Sequence, residues 1–428
     1  MTRTVFLGAL SCLLAFAVPA SAAICNIDAT PAATLLLPYF EVDLNNPNGV
    51  TTLFSVNNAS AMGVLAHVSV WSDLSVPVLG FNIYLTGYDV QTINLRDILV
   101  TGNLPQTASV GQDPADTISP KGPKSQDVNF ASCNGQLPPP PLPPSFLQHL
   151  SLSLTGKGSP LFGGLCSGRN LGDNIARGYI TVDTVNNCTL RLVTDVNYFL
   201  QDITFQNVLW GDYFYVNTGQ SFANGGTLVH VEASLTDPAT TTAGRYTFYG
   251  RYVAWNAGPS GVIDHREPLA TNFAGRYANG GTFTGGTSYV VWRDSKTSQN
   301  AFTCPATTGR PSWFPLGMEG IDIFDETEQV SVPQTSSFSP QPPNTGIVPF
   351  PAEAQRTKVN GPDLPVPFNF GWLYLDLNTT VTGNPNPPFD PAAAQAWVIL
   401  DMDSNGRFSV GIEGVRLDSA CAPHHGVP

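Results

Sequence analysis

Val64-Leu-Ala-His-Val-Ser-Val-Trp-Ser72 decides the fold class. It alternates: Val68 and Val70 point to one side, His67, Ser69 and Trp71 to the other, the two-residue period of a strand. Working outward, the same β-branched and aromatic character recurs at Thr34–Asp43 and over 50–57, 78–85 and 89–99. Turn chemistry separates the runs: Asn46-Pro47-Asn48-Gly49 fits a type I turn, with Pro second and Gly fourth. This spacing predicts a β-sandwich of immunoglobulin-like character in the N-terminal part.

Composition agrees. Gly 40 and Pro 37 make up about 18 % of 428 residues, against roughly 12 % in ordinary chains. Five Lys and eight Glu are too few for long helices, while 42 % hydrophobic residues suffice for packed cores. The chain is therefore read as all-β. Further strands are predicted over 178–184, 190–199, Asp212–Asn217, 227–234, 245–255, 370–377 and 397–417. One short helix is expected over 146–154, and a helical turn at Asp390-Pro391-Ala-Ala-Ala, with Asp as cap and Pro first. Ala223-Asn-Gly-Gly-Thr227 and Ala278-Asn-Gly-Gly-Thr282 read as one turn used twice, too short a match to be a repeat. This length exceeds one ordinary core, which predicts two β domains, 23–236 and 237–428. The first carries a Pro-rich insertion at about 101–172, including the polyproline stretch 137–144, and the second a Pro-rich segment at about 332–367.

Residues 1–22 read as a signal peptide. Arg3 supplies the basic start, 5–17 is apolar, and Ala20-Ser21-Ala22 offers small residues for cleavage. The apolar stretch is shorter than the roughly 20 residues a membrane span needs, and no later segment reaches that length. Export to the periplasm, cell surface or medium is expected. Beyond Cys12, inside the apolar stretch, stand Cys25, Cys133, Cys166, Cys188, Cys304 and Cys421. An even number in an exported chain predicts three disulfides. Proximity in the chain suggests Cys133–Cys166, then Cys304–Cys421 and Cys25–Cys188. The wide spacing holds no zinc pattern.

A net charge of −13 with no basic cluster argues against a nucleic-acid partner. The chain holds no G-x-S-x-G elbow, H-E-x-x-H, Walker loop or dinucleotide fingerprint. His67, His149, His230, His265, His424 and His425 are scattered, and a lone strand histidine is more often packed than catalytic. Glycoside hydrolysis would need two facing carboxylates. Glu319, Asp322, Asp325, Glu326 and Glu328 form the densest acidic stretch; on a strand, Asp322, Glu326 and Glu328 would share a face. The competing reading is a charged edge that resists aggregation. Glu232 and Glu267 are isolated alternatives. Trp71, Trp255, Trp292 and Trp397 bound apolar strands and suit core caps better than a sugar platform.

Asp401-Met-Asp403-Ser-Asn405-Gly406 is the strongest local motif. Asp401, Asp403, Asn405 and Ser409 follow the spacing of a calcium loop, but Ile412 occupies the twelfth position and Glu413 comes one residue late. Strand-like flanks offer a plain hairpin turn at 403–406 instead. Structural calcium on Asp401, Asp403, Asn405, Ser409 and Glu413 is the one cofactor the sequence suggests.

The segments 35–43, 85–95 (Leu-Thr-Gly-Tyr-Asp-Val-Gln-Thr-Ile-Asn-Leu), 209–215 (Leu-Trp-Gly-Asp-Tyr-Phe-Tyr), 313–316 (Trp-Phe-Pro-Leu) and 405–410 (Asn-Gly-Arg-Phe-Ser-Val) together resemble a group of secreted bacterial all-β proteins. That resemblance implies export and carries no activity, substrate or catalytic residue. The sequence therefore points to an exported, non-enzymatic cell-envelope, matrix or adhesion-type protein with a cell-surface, matrix or glycan partner. A carbohydrate-binding or carbohydrate-cleaving protein is the alternative.

Overall fold

The computed structural model describes residues 24–25, 27, 29–106, 131–133, 136–137, 139–195, 197–241, 264–295, 300–304, 311, 314–318, 320–331, 349–378 and 395–418. The signal segment, Trp255 and its strand, Glu319, residues 332–348, the turn at Asp390, Cys421, His424 and His425 lie outside them.

The fold is all-β. In chain order the N-terminal half contributes β1 (Thr34–Asp43), β2 (Thr51–Asn58), β3 (Val64–Ser72), β4 (Pro77–Leu85), β5 (Val90–Asn94), α1 (Pro144–Leu154), β6 (Ile175–Val185), β7 (Leu209–Trp210), β8 (Asp212–Asn217), β9 (Phe222–Thr227) and β10 (Val229–Val231). After the helical turn α2 (Pro238–Thr241) come β11 (Asn272–Ala278), β12 (Gly286–Arg293), β13 (Gly320–Asp325), β14 (Val330–Ser331), β15 (Ala354–Lys358), β16 (Phe370–Asp376), β17 (Ala396–Asp403), β18 (Ser409–Glu413) and β19 (Val415–Arg416). All the pairings are antiparallel, in sheets ordered β10-β1-β6-β3-β4, β5-β2-β8-β9, β15-β12-β17-β18 and β14-β13-β16-β11-β19.

The first two sheets enclose one core. Val68 and Val70 of β3 lie in register with Val182 and Ile180 of β6, and these share a cluster with Phe54, Val56 and Tyr215. The last two sheets enclose a second, around Phe273, Tyr289, Val291, Ile323 and Leu373. The other face of β12, β15 and β17 is also largely buried. Val290, Trp292, Ala354, Trp397 and Ile399 belong to the first cluster, so a continuous apolar seam joins the halves. With a core on each side, β3 and β17 are buried almost throughout, polar positions included.

Three local expectations change. Only Val90–Asn94 of 89–99 is strand; Asp97–Thr101 turns helical, closed by Gly102 at φ 77°. The region 190–199 is no strand either, because the helical turn Tyr198–Asp202 brings Tyr198 to Asp183 and Asp202 to Arg191. The two Ala-Asn-Gly-Gly-Thr copies differ: the second is a turn after β11, but the first lies within β9. There Gly225 sits beside the Tyr213 carbonyl, 2.4 Å from where a Cβ would stand, so glycine serves close packing rather than turning.

The disulfide pairing is corrected as well. Cys133 joins Cys188 and Cys166 joins Cys304, with Cα atoms 5.0 and 4.9 Å apart. Neither Cys133–Cys166 nor Cys304–Cys421 nor Cys25–Cys188 forms. Cys25 is disulfide-bonded to a partner outside the described residues. Proximity along the chain misled because Cys166 is held beside Phe302 by an isolated antiparallel bridge.

Candidate functional site

The strand β4 is a sheet edge, and open edges invite pairing with other chains. Here it is covered. The polyproline stretch runs alongside as a strap, too poor in N–H donors to join the sheet, and leads directly into α1. Pro144 occupies the first turn of α1, whose Leu150 and Leu154 turn inward. Three contacts hold the strap: the Cys133–Cys188 disulfide, Gln106 Nε2 donating to the Pro139 carbonyl (3.0 Å), and Leu142 N–H donating to the Gly102 carbonyl (2.8 Å).

Between strap, α1 and β4 lies a cavity of about 620 Å3, walled by Val78, Leu137, Pro141, Phe146, Phe162 and Leu192. Its size and apolar lining are those of small-molecule sites. Gln136, Leu190 and Leu192 are shared with a neighbouring polar hollow of about 900 Å3. That hollow contains Asp195 and the Arg191–Asp202 ion pair, 3.0 Å long.

Polar groups are few and fixed. His149 in the wall places Nδ1 2.6 Å from the Ser159 hydroxyl; burial lowers its pKa, partly offset by a hydrogen bond to the Val78 backbone. Asn82 on the floor donates Nδ2 to the Thr189 carbonyl (2.8 Å), which orients its amide so that Oδ1 faces His67 Nδ1 at 3.0 Å. Oδ1 can only accept, so His67 carries its proton on Nδ1. Its other nitrogen, Nε2, is buried without a hydrogen-bond partner among the described residues. Burial lowers the pKa of His67, against the opposing effects of Asn82, Asp183 and Asp202, which favours the neutral ring.

Several other candidate residues make structural contacts. Beside His67 in the sheet, Asp183 takes Arg266 on Oδ1 (3.0 Å) and the Tyr198 hydroxyl on Oδ2 (2.6 Å), while Asp264 grips the same guanidinium at 2.7 Å. Glu267 accepts the backbone N–H groups of Cys25 (2.7 Å) and Glu232 (3.0 Å). His230 is buried and accepts from Gly211 N–H at 3.4 Å; the His265 ring stands edge-on to Phe205. Trp71 donates Nε1 to Thr181 and stacks on Tyr179, and Trp292 and Trp397 are buried in the seam.

Asp322, Glu326 and Glu328 do not share a strand face, because 326–329 is the turn between β13 and β14. Asp325 closes that turn by accepting the Thr327 and Gln329 N–H groups, both at 2.8 Å. Cross-strand from Asp322, Tyr374 stands beside Trp372, which stacks on Phe324 with ring centroids 4.0 Å apart.

The 401–413 motif is a β17–β18 hairpin, with Asp403 opposite Ser409 and Asn405 and Gly406 both at positive φ. Asp401 is buried between Arg356 Nη1 and Asn224 Nδ2. Arg356 also meets Glu41 at 3.3 Å and lies over the Tyr215 ring. Ser409 donates to the Ala223 carbonyl, and Glu413 accepts from Thr227 at 3.4 Å. Asp403 is half-buried and Asn405 exposed. Among the described residues no group of three or more His, Cys, Asp or Glu is placed to hold a metal ion, and no helix is long and apolar enough to cross a membrane.

The cavity itself escaped the sequence reading. Its local trace is Gly80, a glycine inside a strand run that is apolar but for Asn82. No protein-family model, curated protein or solved structure matches the chain.

Proposed function

We propose that this is an exported, non-enzymatic protein of the cell envelope, matrix or adhesion type, and that it works by binding an apolar ligand in the cavity beside β4. One observation carries the reading: a cavity of about 620 Å3 with apolar walls borders an edge strand that the chain covers with a dedicated, disulfide-anchored strap. Disulfides persist in oxidising compartments, which supports export. Of the carboxylates weighed for a hydrolase, Glu267 accepts backbone N–H groups and Asp325 closes a turn, while Asp322, Glu326 and Glu328 do not share a strand face.

Titration with an environment-sensitive apolar dye tests the reading. Saturable one-to-one binding, abolished by Phe146→Glu in the cavity wall, is expected. Unsaturable binding, or binding that Phe146→Glu leaves unchanged, would overturn it.

A second reading, glycan binding, is favoured by the half-buried Phe324–Trp372 stack beside exposed Arg276. A glycan panel against wild type and Trp372→Ala tests it: binding that the substitution removes supports it, and no binding by the wild type rejects it.

A further inference from the structure

We propose that the cavity's ligand is a neutral, single-chain aliphatic alcohol whose hydroxyl donates to His67 Nε2 through the gap left by Gly80. The inference rests on the cavity being a binding site and adds what the site selects.

Gly80 is the first observation. It sits in β4 opposite Ser69, and its φ lies outside the left-handed range that would demand glycine. The missing side chain therefore provides space. A Cβ at position 80 would stand 2.8 Å from His67 Nε2 and 3.7 Å from Leu192 Cδ2. Gly80 and Leu192 both line the cavity. The imidazole nitrogen thus lies just behind Gly80 in the cavity wall, His67 itself not being a lining residue, and a change of Leu192 rotamer would open the way to it. Glycine within a strand commonly marks a place where another group must come close.

The second observation is the open nitrogen. With Nδ1–H donated to Asn82, Nε2 presents a lone pair and no proton. A buried acceptor without a partner is costly, and a donor from the ligand would satisfy it. A carboxylate or an ether has no proton to give, whereas an alcohol does. Charge points the same way: Asp195 and Asp202 of the adjoining hollow, against Arg191 alone, and a net charge of −13 disfavour anions. Apart from Asn82, Gln136 and His149, the lining is aliphatic, proline, glycine and phenylalanine, which suits a methylene chain.

The test uses displacement of the bound apolar dye from the full chain by 1-decanol, 1-methoxydecane and decanoate, with 1-octanol and 1-dodecanol as a length series. The alcohol is expected to bind about five- to tenfold tighter than the ether, for one net hydrogen bond. Affinity should rise about fourfold per added methylene until the cavity is full. Gly80→Ala should erase the preference for alcohol over ether while the dye still binds. Equal affinity for alcohol and ether would overturn the proposal and leave the cavity reading standing, as would tightest binding by decanoate. Failure of every chain and of the dye would overturn both. The comparison of ligands on the wild type decides even where Gly80→Ala does not fold.

Discussion

Two buried polar groupings sit side by side on one face of the β10-β1-β6-β3-β4 sheet, and they are completed differently. In the first, the charges are matched: Asp183 and Asp264 flank Arg266, and Thr34 and Tyr198 donate to the Asp183 carboxylate. In the second, His67, directly opposite Asp183 in register, is anchored at Nδ1 and open at Nε2. Burial is equal, both side chains being fully enclosed, so burial does not distinguish structure from function. What separates these two groupings is the completion of their hydrogen bonds.

The largest effect should come from breaking the closed network. Arg266→Met strands two buried carboxylates and should cost about 3–5 kcal/mol, read as a fall in the denaturant midpoint. A loss under about 1 kcal/mol would mean that the cluster is not closed as described.

Next comes the strap. Replacing both cysteines of the Cys133–Cys188 pair by serine should cost about 2–4 kcal/mol and weaken dye binding, since this bond ties the strap to the Leu190–Leu192 side. Loss of stability with undiminished binding would detach the strap from the site.

The pH dependence separates the two groupings more finely. Burial holds His67 neutral below the usual value near 6.5. As pH falls below about 6.5 the unfolded chain takes up the proton first, so stability present above that value is lost going down, by up to about 1.4 kcal/mol per pH unit for this group. His149 and His230 shift in the same direction. The slope of equilibrium unfolding between pH 5 and 7 should therefore flatten in His67→Gln, by at most one proton's worth; an unaltered slope would contradict the lowered pKa of His67.

The smallest effect is expected at the β17–β18 hairpin. Both Asp401 oxygens are engaged by Arg356 and Asn224, so millimolar calcium should leave the melting midpoint of wild type and Asp403→Ala where chelator leaves it. A calcium-dependent rise would reopen the metal reading.

What the sequence revealed follows from the range of each interaction. Alternation in 64–72 is local, and it correctly separated Val68 and Val70 from His67, Ser69 and Trp71. What covers the second group is remote: Tyr198, Arg266 and α1 arrive from elsewhere in the chain, and no periodicity in β3 foretells them. The hairpin at 403–406 was legible because Asn405-Gly406 is local turn chemistry. Cysteine pairing was not, since Cys166 meets Cys304 across 138 residues. The open state of His67 Nε2 depends on Gly80 and Leu192, on two other segments, so the histidine was visible and its role was not.

The central claim, that His67 presents a bare nitrogen toward the cavity's ligand, is tested most directly by nitrogen-15 NMR of the histidine ring during titration with 1-decanol. The free protein should show His67 Nε2 as an unprotonated nitrogen at neutral pH, and its resonance should move on ligand addition while Nδ1 stays protonated. A protonated Nε2 in the free protein, or a resonance that does not move while the dye is displaced, would contradict the claim.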